Sequence, residues 1–244
     1  MILKNKWKVS SQSWNFRGLS GNDDVIGALK LCGLDMVELS GYHCDISDPA
    51  NVDAVLDLYA KNGIGISSAG VFILSTDEKK STEAFELAKK AGLKNIAIDF
   101  EPEALPVAEK LTEKYCINAG IHNHGRKHRY GSPAQIADIL GKASPRIGLH
   151  LDTGWLLDSG GDPASIIRQY RTRLFGVHFK DFVFDGENNH VEVELGKGDM
   201  DMDSVVAALL EINYEGCVAI EYEANKDNPV PYFKECVDYL KKYE

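Results

Sequence analysis

Two periodicities alternate along the chain. Short, densely apolar runs of strand length fall near Lys8–Ser13, Asp35–Leu39, Ile64–Ala69, Asn95–Ile98, Ile117–His122, Ile147–Leu151, Leu174–Phe179 and Cys217–Glu221. Between them lie longer segments whose apolar residues recur every three to four positions, the spacing of a helix with one buried face. These predict helices over Asp23–Cys32, Pro49–Lys61, Ser81–Ala91, Pro102–Tyr115, Pro133–Lys142, Pro163–Tyr170, Asp203–Leu210 and Pro229–Lys241. The punctuation agrees. Asp48-Pro49, Glu101-Pro102, Ser132-Pro133 and Asp162-Pro163 put an acidic or hydroxyl cap before a proline at the first helical position. Asn62-Gly63, Ala91-Gly92 and Tyr214-Glu215-Gly216 read as helix stops. Eight strand–helix units in succession, with no linker or low-complexity stretch, predict one (β/α)₈ barrel over residues 1–244. A doubly wound open sheet is the competing topology, but no glycine-rich phosphate loop follows the first strand. The longest irregular piece, Asp181–Asp201, reads as a lid or substrate loop.

Composition narrows the class of partner. The formal net charge of −10 argues against a nucleic-acid backbone, which needs clustered lysine and arginine. No apolar run approaches the roughly 18 residues of a membrane-spanning helix. Met1–Ser10 shows no apolar stretch of the kind a signal peptide carries. The five cysteines, at 32, 44, 116, 217 and 236, are scattered with no CxxC, and most lie in apolar runs. Free thiols in a reducing compartment, and therefore a cytoplasmic protein, are the expectation.

Chemistry concentrates at four strand ends: Ile121-His-Asn-His-Gly125, Leu151-Asp-Thr-Gly154, Val177-His-Phe-Lys-Asp181 and Ile220-Glu-Tyr-Glu223. A closed barrel brings them to one rim, where the active sites of that fold sit. Residues two apart on a strand share a face. His122 therefore pairs with His124, His150 with Asp152, His178 with Lys180, and Glu221 with Glu223. Imidazole and carboxylate together suit Mn, Zn, Fe or Co, and a carboxylate-rich set suits Mg or Mn. Each residue also has a plainer reading. Asp152 before Thr-Gly could cap a turn, Glu221 and Glu223 could be solvated, and His150 lies one layer deeper as a structural residue. His43 and His128 read as solvated loop residues, while His190, in the long loop, could touch substrate. Glu38 either faces the site or forms an internal ion pair. Gly196-Lys-Gly-Asp199 alone is a slight phosphate signal.

The strings Gly33-Leu-Asp-Met-Val-Glu38-Leu, Ala119-Gly-Ile-His-Asn-His124-Gly, Ile147-Gly-Leu-His-Leu-Asp152-Thr-Gly, Val177-His-Phe-Lys-Asp181, Leu195-Gly-Lys-Gly-Asp199 and Tyr214-Glu-Gly-Cys-Val-Ala-Ile-Glu221-Tyr-Glu resemble the xylose isomerase-like TIM barrel family, in particular its sugar phosphate isomerase/epimerase group. The resemblance runs nearly end to end. It implies one divalent metal ion (Mn, Zn, Mg, Co or Fe) held by His122, Asp152, His178 and Glu221. It also implies isomerisation or epimerisation of a small sugar, keto-sugar or sugar phosphate through a metal-stabilised enediolate, or elimination of water from a keto-sugar or keto-inositol. In that reading Glu221 or Glu223 is the base and Lys180 steadies a substrate oxygen. His124 binds substrate or acts as a fifth ligand, Trp155 offers an apolar face to a sugar ring, and Glu38 joins the substrate contacts. Three positions depart from the family pattern. His122 stands where epimerases carry a glutamate, Trp155 where many members have histidine, and Ser67-Ser-Ala-Gly70 lacks a histidine often found there. The first departure favours one strong base over a symmetric pair. A lyase that dehydrates a keto-inositol or keto-sugar is the rival enzyme, and a sugar-binding barrel without activity is the rival outside enzymes. The expected partner is a small polyhydroxy carbonyl compound, with neither nucleic acid nor membrane involved and the question of a homo-oligomer left open.

Overall fold

The computed structural model describes residues 7–244, so most of the stretch read for a signal peptide lies outside the described residues. The eight predicted strands and eight predicted helices are present in the predicted order, with others added to them. The elements are β1 (Val9–Gln12), α1 (Asn22–Cys32), β2 (Met36–Leu39), α2 (Pro49–Lys61), β3 (Gly65–Ala69), β4 (Phe72–Leu74), α3 (Glu78–Lys90), β5 (Asn95–Phe100), α4 (Leu105–Tyr115), β6 (Asn118–His122), α5 (Pro133–Lys142), β7 (Ile147–Asp152), α6 (Thr153–Asp158), α7 (Pro163–Gln169), β8 (Leu174–Phe179), β9 (Asp181–Phe184), β10 (His190–Val193), α8 (Met202–Glu211), β11 (Cys217–Ile220) and α9 (Val230–Leu240). The additions are β4, α6, β9 and β10.

Nine parallel strands form one nearly closed barrel in the order β3-β2-β1-β11-β8-β7-β6-β5-β4. Eight staves were expected, and the ninth strand arises because the third stave is built in two pieces. β3 pairs with β2, and beyond Gly70 the chain steps across so that β4 pairs with β5. Gly70 makes the step possible. Its φ of +145° is strained for an L side chain, and a Cβ there would lie 2.2 Å from the Ala97 carbonyl oxygen.

Local chemistry fixes the helix starts. Asp48 and Asp162 each accept a hydrogen bond from a backbone N–H of the first turn ahead of a proline. Ser132 and Gln135 form a reciprocal capping box at α5. That helix turns Ile136, Ile139 and Leu140 inward, each worth about 1.5–3 kcal/mol of burial. Glu101-Pro102 is the exception: it opens a short 3-10 turn, and α4 follows with no side-chain cap.

Two sequence expectations change. Asp181–Asp201 is largely ordered as an antiparallel hairpin, with β9 pairing β10 from His190↔Phe184 to Val193↔Asp181. Asp181 anchors its far end by accepting from the backbone N–H groups of Gly196, Gly198 and Met200. The cysteines are free, as expected, but Cys116 is exposed. Among the described residues no helix is long and apolar enough to cross a membrane.

Candidate metal centre and substrate pocket

The barrel interior is polar along its axis. Glu38, His150 and His178 are completely buried there. The Glu38 carboxylate accepts from Gln12 Nε2 at 2.9 Å, lies 3.0 Å from His178 Nε2, and is 3.3 Å from His150 Nε2. Glu38 thus takes the internal ion pair of its two sequence readings. It has no exposure and is not among the residues lining the cavity above, so the substrate contact expected of it has no support in the packing. His150 lies in this deeper layer, with no exposure. Its imidazole fills space left by Gly176, where a Cβ would fall 2.1 Å from the ring.

One layer higher, the four predicted strand ends converge. His178 Nδ1 lies 3.0 Å from His122 Nε2 and 3.2 Å from Glu221 Oε2. His122 Nε2 is 3.7 Å from Glu221 Oε2 and 3.8 Å from Asp152 Oδ2. One donor atom from each of the four residues lies within 4.8 Å of the others. An ion at ~2.1 Å from four tetrahedral donors would separate them by about 3.4 Å, so the spacing fits one small divalent ion. The connecting residues aim the donors. Asn123 exchanges two hydrogen bonds with the Asp152 backbone, at 2.8 and 3.0 Å, which locks the ends of β6 and β7 together. Asp152 Oδ1 accepts from Trp155 N at 2.7 Å and caps α6, while the buried Oδ2 has no hydrogen-bond partner and faces the other ligands. Asp152 therefore combines the turn-capping role with a free donor. The pairing of His178 Nε2 with Glu38 leaves Nδ1 to face the centre, the arrangement by which carboxylates orient metal-binding histidines.

The electrostatics are those of a tightly coupled buried cluster. Burial opposes charge on His178, but Glu38 and Glu221 outweigh it and hold its pKa well above the ordinary imidazole value. Burial pushes His122 down to about 4. Burial also works against the Glu221 carboxylate, yet Lys180 and His178 hold its pKa well below the usual range. Burial, with Glu221 adding to it, raises Asp152. Lys180 is buried against charge but ringed by Glu221, Asp152, Glu223 and Glu192, which keep it protonated. Its Nζ lies 3.2 Å from Glu221, 3.7 Å from Glu192 and 4.0 Å from Asp152, contacts Glu223, and sits 5.2 Å above the Trp155 ring.

A cavity of about 400 Å³ opens over this cluster, lined by Trp14, Tyr42, His122, His124, Trp155, Glu221 and Glu223 among others. Glu223 is held on both oxygens, by Trp14 Nε1 at 2.7 Å and by Lys180. His124 lines the cavity but lies outside the four-donor cluster and is grouped instead with Asp99 and His128. His128 is not solvated as expected, since its Nε2 lies 3.2 Å from Asp99 Oδ2. His43 is buried too, against the hydroxyls of Ser13 and Ser40. His190 stacks on Phe182 and pairs with Asp158 at 2.8 Å.

Sequence reasoning missed Glu192. Carried by β10, it accepts from the Glu223 backbone N–H at 2.9 Å, and burial pushes its carboxyl up to about 7. The alternation His190-Val-Glu-Val was the available signal, marking a strand with one polar face. Gln12 and Asn123, which position Glu38 and Asp152, were also missed.

A parallel α/β barrel with imidazole and carboxylate donors gathered at the C-terminal rim defines a class of protein. Within it, the chain belongs to the xylose isomerase-like TIM barrel family, whose profile matches residues 99–243. Over 137 residues it is 27% identical to inosose dehydratase of Lacticaseibacillus casei, a match covering 49% of this chain and 46% of that protein. The chain spans about half the length of the curated relatives it matches. Among solved structures, the IOLI protein with a zinc atom bound superposes with a TM-score of 0.76 at 17% identity, covering 97% of this chain and 99% of that one. L-ribulose 3-epimerase superposes with a TM-score of 0.73 at 17% identity, covering 97% and 94%.

Proposed function

We propose that this chain is a divalent-metal-dependent enzyme that dehydrates a small polyhydroxy ketone. The observation that carries this reading is the one-sided supply of carboxylates. Among the described residues lining the cavity, only Glu221 and Glu223 carry carboxylates, and both follow β11. Inverting a carbon in both directions needs bases on opposite faces of the substrate, whereas elimination needs one base and a proton returned to the leaving oxygen. The sequence alone placed isomerisation first. The pocket and the likeness to a protein named inosose dehydratase support elimination ahead of it. Isomerisation shares the first step and remains the second reading.

His122, Asp152, His178 and Glu221 would hold the ion. When bound, it supplies a Lewis acid for the substrate carbonyl. Glu223 is the base in this scheme: it lies outside the ligand set, lines the cavity, and has both oxygens oriented by Trp14 and Lys180. It takes the proton from the carbon next to the carbonyl, and the C–H electron pair becomes the enolate. That pair then forms the C=C bond as the neighbouring C–O bond breaks. The hydroxyl leaves as water, taking back a proton through Lys180, so the reaction is redox-neutral. Trp155 gives an apolar wall to the carbon skeleton.

The test is solvent-deuterium exchange and product analysis with inosose and a panel of keto-sugars, using zinc- or manganese-loaded protein. The expected product is an ultraviolet-absorbing dehydrated ketone. Glu223→Gln should keep its metal and lose exchange by a factor of about 100 or more. Exchange at the parental rate in Glu223→Gln would overturn the base assignment, and an isomerised ketose as the sole product would restore the second reading.

A further inference from the structure

Asp99, at the end of β5, meets two histidines of the loop after β6. Its Oδ2 lies 3.2 Å from His128 Nε2, and one donor atom each from Asp99, His124 and His128 lies within 4.8 Å of the others. Asp99 is 6% exposed. The His124 Nδ1 is buried with no hydrogen-bond partner. A buried ring nitrogen without a partner is costly unless something binds it. The rings of His124 and His128 are 4.7 Å apart. The Tyr130 backbone N–H donates to His128 Nδ1 at a long 3.4 Å, a contact that must give way so that the proton sits on Nδ1 and Nε2 is free for an ion. A cavity of about 400 Å³, walled on its far side by Val71 and Ile73, opens onto the three residues.

We propose that Asp99, His124 and His128 form a second divalent-metal site beside the first. Two imidazoles and one carboxylate are the donor set of open zinc sites, which leave a fourth position for water or substrate. The same set accepts Co(II), Mn(II) or Fe(II). Arg129 Nη2, at 2.9 Å from Asp99 Oδ2, is the competing cation. It has other partners in Glu101 at 3.1 Å and the Phe100 carbonyl at 2.8 Å, so it stays anchored when Asp99 turns towards an ion. His124 also lines the cavity over the first centre. An ion here therefore borders the substrate pocket and offers a contact for a second substrate oxygen. Whether an ion binds here does not depend on which reaction the first centre runs; only the substrate contact rests on the function proposed above.

The experiment strips the full chain with chelator, reloads it with Zn(II) or Co(II), and measures bound metal by mass spectrometry and calorimetry. Wild type should hold two equivalents. Asp99→Asn and His128→Ala should each weaken one of the two sites by about 100-fold or more and leave the other intact. Asp152→Asn should do the reverse. Circular dichroism confirms that each variant is folded. A single wild-type equivalent lost in Asp152→Asn but kept in His128→Ala would overturn the second site and leave the first standing. A single equivalent lost in His128→Ala but kept in Asp152→Asn would uphold the second site and overturn the first. Two equivalents retained in both Asp99→Asn and His128→Ala would also overturn the proposal.

Discussion

Replacing Glu38 with glutamine tests whether the buried layer beneath the proposed ligands controls them. The change keeps the shape of the side chain, so no cavity forms, but it removes the charge that faces His178 Nε2 at 3.0 Å. Glu38 Oε1 also accepts from Gln12 at 2.9 Å, and both partners are fully or almost fully buried. A hydrogen bond to a charged group contributes about 1.5–3 kcal/mol. With about 1.36 kcal/mol per factor of ten, its loss predicts metal binding weaker by roughly 10- to 150-fold. Geometry sharpens the expectation. If the new amide presents its NH₂ to His178, Nε2 must become the acceptor. The proton then moves to Nδ1, the nitrogen that faces the other three donors. Zinc affinity of Glu38→Gln would be measured by competition with a chromogenic chelator, beside thermal unfolding and beside His178→Ala as the ligand-loss control. A folded Glu38→Gln protein whose zinc affinity lies within about twofold of wild type, while His178→Ala loses the ion, would refute control by the buried layer.

Gly176→Ala should force the His150 ring out of place, since the new Cβ would fall 2.1 Å from it, and overpacking of this kind costs about 1–3 kcal/mol. Thermal unfolding should fall by several degrees, with partial recovery when His150→Ala is added; an unchanged midpoint would contradict the packing. Burial, opposed by a smaller backbone hydrogen bond, lowers His43 to about 4. The unfolded chain, titrating near 6.5, therefore binds the proton more readily, and the contribution of neutral His43 is complete above that pH and lost as pH falls from about 6.5 to 4. Denaturant unfolding of His43→Gln against wild type should show this pH slope reduced, by at most roughly 3 kcal/mol across the window. Parallel curves would sink the assignment. Lys180→Met should lower turnover by about 100-fold or more while metal content is kept, and near-parental turnover would remove Lys180 from the proton path.

The barrel and the four converging strand ends were legible because both follow from period alone. A strand in a closed parallel barrel points alternate residues inward, so the pairs His122 and His124, His150 and Asp152, His178 and Lys180, and Glu221 and Glu223 face one rim once the number of units is right; the choice of His122, Asp152, His178 and Glu221 among them came from the family resemblance. What stayed hidden depended on contacts between distant segments. The break of the third stave rests on Gly70 approaching Ala97. Glu38 had two readings, and the choice lay with Gln12 and the histidines of β7 and β8, far away in sequence. Glu192 reaches the site only because β10 folds back on β9, a pairing that its polar neighbours Asp185–Asn189 disguise as loop.

The burial of Glu38 also bears on how far the four ligands can be varied separately. A carboxylate with no exposure is expensive to hold ionised, and here burial is offset by His150, His178 and Gln12 acting on one group. His178 is at once a partner of that carboxylate and a donor facing the upper cluster, through its two different nitrogens. The layers therefore share one proton inventory. A change at Gln12 or His150 removes a neighbour that orients or stabilises the Glu38 carboxylate, which alters how strongly His178 Nε2–H is held and how basic Nδ1 is towards an ion. Substitutions on β1, β2 and β7 should consequently be non-additive with changes at His178, although none of those residues needs to touch the substrate.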